Sequence, residues 1–190
     1  MQIDLTGHSV RITGAGGALR DTLRARLADS GARMIGEGVP DLLIASAPLV
    51  EAPGFDWSAL AAIARETGAS MQAGGKGRIV FLLPACAALP VRRQPQLSMQ
   101  GAALLALMRT MAMTLAPQVA VNALGAGAIG DPDLVSGDAQ MIGHAPVGRA
   151  GTLEEACAVA LFLCDPDNTY LTGQMLTADG GWMAGYGRSF

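Results

Sequence analysis

Lysine occurs once in this chain, at Lys76, and histidine, tyrosine and asparagine occur twice each. Charge is sparse as well, at 15% of the 190 residues, while 51% are hydrophobic. A chain so apolar is neither disordered nor fibrous, and it has ample surface for the core of one domain spanning 1–190. The twelve arginines are scattered and the formal net charge is −3, so no basic stripe exists to release counterions from a nucleic-acid backbone. Cys86, Cys157 and Cys164 are odd in number and show no close ligand pairing, which argues against a disulfide framework and a zinc site, and they read as reduced core thiols. His8 and His144 lie far apart, with no carboxylate or cysteine cluster beside them, and read as structural histidines; no metal ligand is expected. Met1-Gln2-Ile3-Asp4 has neither a basic start nor an apolar run, so a cytoplasmic protein is expected.

What is present alternates. Apolar, β-rich runs at Ser9–Gly14, Ala32–Gly36, Asp41–Ser46, Arg78–Leu83, Val119–Leu124 and Gln174–Ala178 are strand candidates. Leu19, Leu23 and Leu27 recur every four residues, and Leu60, Ile63, Ala64 and Met71 make a second helical stripe. Gly31 follows the first helix, and Thr152 with Glu155 forms a capping box ahead of Ala156–Cys164, where Cys157 and Cys164 share one face. Strand and helix in alternation predict a parallel, doubly wound α/β sheet of about six strands.

Two segments depart from the ordinary pattern. Gln96–Pro117 carries a single charge, Arg109, and its leucines, methionines and alanines cover most of a helix circumference. Such a helix needs cover on several sides: the sheet supplies one, and a second subunit is expected to supply the other. A transmembrane span is the competing reading, disfavoured by the central arginine and the flanking glutamines. The second departure is the link of Glu37, Gly38, Val39 and Pro40 between Gly36 and Asp41. It is too short for a crossover between neighbouring parallel strands, so the first strand should lie between the second and third.

Thr13-Gly14-Ala15-Gly16-Gly17, after a strand and before a helix, resembles the nucleotide-binding turn of the short-chain dehydrogenase/reductase family. In order along the rest of the chain, Gly77-Arg78-Ile79-Val80, Val121-Asn122-Ala123, Pro146-Val147-Gly148-Arg149, Thr152-Leu153-Glu154-Glu155, Tyr170-Leu171-Thr172-Gly173-Gln174 and Asp179-Gly180-Gly181-Trp182 resemble it too. The resemblance implies a Rossmann-like fold; the short link implies that the family's third strand and its flanking helices are deleted, and with them one wall of the adenine pocket.

The resemblance also implies working parts that the chain lacks. The second and third turn glycines fall at Ala18 and Arg20, the latter a cation at a helix amino terminus. Asn-Asn-Ala-Gly after the fourth strand reads Ala45-Ser46-Ala47-Pro48, and the catalytic serine falls at Pro84. The tyrosine acid/base falls at Leu97, its lysine at Gly101, and the helix asparagine of the proton relay near Ala64. Because Lys76 precedes both Tyr170 and Tyr186, no Tyr-x-x-x-Lys can be drawn, nor the wider spacing of the superfamily's enoyl reductases. That lysine lowers the tyrosine pKa and binds the nicotinamide ribose, so both roles go together. Glu37 could be read as an adenine-ribose carboxylate but reads better as a solvated turn residue. No catalytic, cofactor-binding or metal residue is assigned.

In the family the helices matching Trp57–Gln72 and Gln96–Pro117 form the principal dimer interface, and the last strand and tail a second. Met99, Met108, Met111 and Met113 lie on the second of these helices and could fill gaps against a non-identical partner, or pack in the core. The tail Gly185–Phe190 could reach across an interface or fray. The expected function is a non-catalytic structural or regulatory subunit of a hetero-oligomeric, NAD(P)-dependent alcohol or 3-hydroxyacyl(-CoA) dehydrogenase. A full-length, catalytically intact homologue supplies the active site and NAD(P), in a heterotetramer. The alternatives are a nucleotide or acyl-CoA sensor module, and an enzyme with chemistry relocated to Asp131, Asp133 or His144.

Overall fold

The computed structural model describes residues 3–130 and 139–185. Asp131 and Asp133, and the tail from Tyr186, lie outside the described residues. Six strands form one parallel sheet: β1 (Ser9–Gly14), β2 (Arg33–Met34), β3 (Leu42–Ser46), β4 (Gly77–Pro84), β5 (Val119–Ala126) and β6 (Met175–Ala178). Their order is β2-β1-β3-β4-β5-β6, with β1 between β2 and β3 as the short link requires. The family-typical third strand, expected to be deleted, would have flanked β2; instead β2 is the edge.

Register explains how so short a link suffices. Met34 of β2 and Leu42 of β3 both pair with Val10, from opposite sides. The chain between them crosses two strand spacings, about 10 Å, without travelling the length of the sheet. Ile35 donates its N–H to the Val10 carbonyl, and the Asp41 N–H donates to Ser9, so the link is held at both ends. The run expected over Ala32–Gly36 shortens to two paired residues because nothing lies outside it to pair with. That brevity leaves little open edge for another chain to join.

Both faces of the central strands are buried, which is why they read as unbroken apolar runs. Leu43, Ala45, Ile79, Phe81, Leu83, Val121 and Ala123 point to one side, against α2 (Trp57–Ala73) and α3 (Pro95–Leu115). Val10, Ile44, Val80, Leu82 and Leu124 point to the other, against α1 (Ala18–Asp29) and α5 (Leu153–Cys164). A short helix, α4 (Ala139–His144), precedes α5.

Local signals behave as their chemistry dictates. Gly31 takes φ +88° just past α1, and a Cβ there would stand 2.8 Å from the Thr6 hydroxyl. Thr152 and Glu155 make both bonds of the capping box, and Glu155 also takes a two-pronged ion pair from Arg149 at 2.7 and 2.9 Å. Arg78 donates to the carbonyls of Leu163, Pro166 and Asn168 and so ties β4 to the end of α5. Asn122, wholly buried, donates to the Leu171 carbonyl and accepts from the Gln174 N–H, holding β5 to the approach of β6.

Helix α3 covers the sheet with Leu97, Leu104, Leu105, Met108, Met111, Ala112 and Leu115. On its other side Met99 is 57% and Met113 73% exposed, with exposed Ala102, Ala103 and Ala106 between them. The four methionines therefore divide, two in the core and two on the uncovered face. No helix among the described residues is long and apolar enough to cross a membrane.

Candidate functional site

In an open parallel sheet the carboxyl ends of the strands form the crevice where ligands bind. Here Gly14, Ser46, Leu82 and Leu124 stand level across β1, β3, β4 and β5, and Pro84 and Ala126 lie two residues beyond.

The glycine turn after β1 packs against β3. Gly14 has φ +95°, and any Cβ there would collide with the Ser46 carbonyl oxygen, which accepts the Ala15 N–H at 2.7 Å. Gly17 leads into α1 with φ +145°, and no side chain caps the helix. Arg20, in the first turn, folds back over the loop: its Nη1 stands 3.5 Å from the Gly14 carbonyl oxygen. Its Nε is buried with no hydrogen-bond partner among the described residues. Donors gather here with few acceptors, and a guanidinium lies over the turn. Glu37 is exposed on the link, away from any cluster.

Two of the positions matched to the proton-transfer groups, 84 and 101, lie against each other. Pro84 ends β4 and leads into a turn of 3-10 helix, Ala85–Ala87, whose three residues are all buried. Helix α3 crosses this turn at Gly101. A Cβ on Gly101 would stand 3.0 Å from the Ala87 Cβ and 3.4 Å from the Pro84 ring. Leu97, one helical turn earlier, is 3% exposed. Pro84, Ala87 and Gly101 pack against one another, so any side chain at 101 needs these neighbours to give way. Ala64, matched to the relay asparagine, is wholly buried in the core.

Sequence reasoning passed over Ser98, a buried hydroxyl beside Leu97. Both of its hydrogen-bonding capacities are used: it donates to the Gln94 carbonyl at 2.8 Å and accepts the Val91 N–H at 3.0 Å, fixing the loop that enters α3. Burial pushes the Cys157 thiol up to about 11 and Cys164 up to about 12, so neither is a nucleophile at neutral pH. His8 lies at the opposite end of the sheet, half-buried, its Nδ1 without a hydrogen-bond partner among the described residues. His144 closes α4. Among the described residues no three His, Cys, Asp or Glu side chains lie where they could hold a metal ion.

Comparison with known proteins gives this geometry a setting. A family model described as "Enoyl-(Acyl carrier protein) reductase" matches residues 52–183. A tropinone reductase homolog of Arabidopsis thaliana is 30% identical over 119 residues, which are 59% of this chain and 45% of that protein. The short-chain reductase NovJ of Streptomyces niveus is 33% identical over 128 residues, 60% of this chain and 48% of that one. The chain thus matches about half the length of these relatives. Among solved structures, a gluconate 5-dehydrogenase from Burkholderia cenocepacia, in complex with NADP and tartrate, superposes with a TM-score of 0.77. Its identity is 21%, over 96% of this chain and 97% of that one. At such identity the likeness speaks for the fold.

Proposed function

This chain belongs to the short-chain dehydrogenase/reductase family, and from that premise we propose that it is a non-catalytic structural or regulatory subunit of a hetero-oligomeric NAD(P)-dependent dehydrogenase. An intact homologue supplies the active site and turns over an alcohol or 3-hydroxyacyl(-CoA) substrate; a heterotetramer is the expected assembly. The reading rests most heavily on the contact of Gly101 with Ala87 and Pro84. A side chain at 101 would crowd Ala87 and Pro84, so this position is tightly packed as well as unfurnished.

The turn residues point the same way. A dinucleotide needs free first-turn N–H groups, a close backbone approach to its pyrophosphate and an adenine wall. Here Arg20 lies across the turn, and a seven-residue stretch, 35–41, stands where the wall would begin. The donors of the turn alone could attract a phosphate, but with the turn covered by Arg20 and the wall shortened we assign the cofactor to the partner. The exposed strip of Met99, Ala102, Ala103, Ala106 and Met113 is the surface proposed to meet that partner, since small and flexible apolar residues accommodate a non-identical helix pair. Paired dehydrogenases of this kind resemble 2-[hydroxy(phenyl)methyl]succinyl-CoA dehydrogenase of anaerobic toluene degradation, where a shortened, inactive family member accompanies an active one. No residue of this chain specifies an aromatic acyl-CoA.

Co-expression with a full-length family member from the same locus, tagging this chain alone, tests the reading. Size-exclusion with light scattering should give a stable mixed oligomer, and NADH titration should give cofactor sites equal in number to the partner chains. A lone homo-oligomer that binds NADH would replace the subunit with a sensor.

A further inference from the structure

A cavity of about 320 Å³ opens between the loop at 51–55 and the first turns of α2 and α3. Pocket volumes that hold small molecules begin near 300 Å³, and a dry cavity of about 150 Å³ takes a benzene. This one therefore has room for a six-membered ring with a substituent of a few atoms.

Its lining is selective. Phe55 and Trp57, both half-buried, meet edge to face with ring centroids 5.4 Å apart and planes at 85°. Leu97, 3% exposed, forms part of the wall, and Gln96 and Gln100, one helical turn apart, supply amides. Among the described residues Glu51 is the one ionisable group lining the cavity, with no lysine, arginine or histidine. The face of an aromatic ring carries a negative quadrupole, which attracts cations. Rings and carboxylate act with the same sign, repelling phosphates and carboxylates and attracting an ammonium group.

We infer that this cavity is a binding site for a small arylalkyl- or alkylammonium ion, the charged nitrogen toward Glu51 and the apolar part against Phe55, Trp57 and Leu97. The same electrostatics disfavour the phosphate groups of nucleotides and acyl-CoA in this cavity. The inference goes beyond the subunit reading: a failed titration leaves the co-purification result untouched, and failed co-purification leaves the titration standing.

The test is ligand-observed ¹⁹F NMR on the full chain, by itself or in the complex in which it is isolated, with 4-fluorobenzylamine, 4-fluorobenzyl alcohol and 4-fluorobenzoate. The amine should broaden saturably and be displaced by unlabelled benzylamine, the alcohol should bind more weakly, and the benzoate should be unaffected. Glu51→Gln, an exposed loop substitution, should weaken the amine two- to fivefold. Gln100→Phe should fill the mouth and weaken it further. No saturable broadening with the amine would overturn the inference, as would equal binding of benzoate or an amine affinity unchanged by Glu51→Gln.

Discussion

At Gly101, the position matched to the family lysine, a single added atom already matters. With a Cβ 3.0 Å from the Ala87 methyl, even alanine would force α3 and the 3-10 turn apart by tenths of an ångström. Lysine must displace more. We predict that Pro84→Ser/Leu97→Tyr/Gly101→Lys, which writes the missing serine, tyrosine and lysine back in, yields no dehydrogenase activity. Gly101→Lys alone should cost roughly 1–3 kcal/mol through overpacking, at about 2–4 °C in Tm per kcal/mol for a chain of this size. Activity in the triple variant with unchanged Tm would contradict the closed-site account.

The buried thiols make a second residue-scale prediction. Cys157 and Cys164 have folded-state pKa values of about 11 and about 12 because burial disfavours the thiolate, against 9.0 when free. Between those values the folded chain holds protons that the unfolded chain releases, so unfolded protein binds fewer protons and stability falls as pH rises. The contribution is full below pH 9 and should be lost above it, by up to about 1.4 kcal/mol per pH unit for each thiol. Urea unfolding at pH 7 and pH 10 measures the loss, and Cys164→Ala should reduce it.

At the scale of elements, α3 carries two apolar faces with different fates. One lies on β4 and β5; the other, bounded by Met99 and Met113 and carrying exposed Arg109 and Thr110 as well, is covered by none of the described residues. Substituting both exposed methionines with glutamate should leave the isolated fold within about 0.5 kcal/mol of the original, as surface changes usually do. The same pair should reduce recovery of the partner in a pull-down at least tenfold, because two charges would be buried without counterions. Undiminished recovery would place the interface elsewhere. Helix α3 also shows a limit of pattern reading. Its composition is apolar almost all round, and it is from the packing that Met108 and Met111 are seen to face the core while Met99 and Met113 do not.

The whole molecule is a six-stranded sheet that has lost its outer unit and kept the α2–α3 layer. Its core is complete on both faces, so the domain should fold, yet the uncovered strip of α3 should make it self-associate. Expressed alone it should be poorly soluble or misassembled, and co-expression with the intact homologue should raise the soluble yield; the soluble fraction on a gel measures this.

Strand periodicity, caps and the short link were enough to determine the doubly wound sheet and the placing of β1 between β2 and β3, because those are constraints of chain length and burial along the sequence itself. The absence of any Tyr-x-x-x-Lys was equally legible, being a matter of residue order. Tertiary structure alone decided the rest. That β2 keeps only two residues follows from the missing neighbour. That Arg20 turns back over the glycine loop, that Ser98 is consumed by its own loop, that His8 Nδ1 finds no hydrogen-bond partner among the described residues and that Gly101 packs tightly on Ala87 depend on the tertiary placing of these groups. No pattern along the chain encodes such distances, because they are set by how helices seat on a sheet.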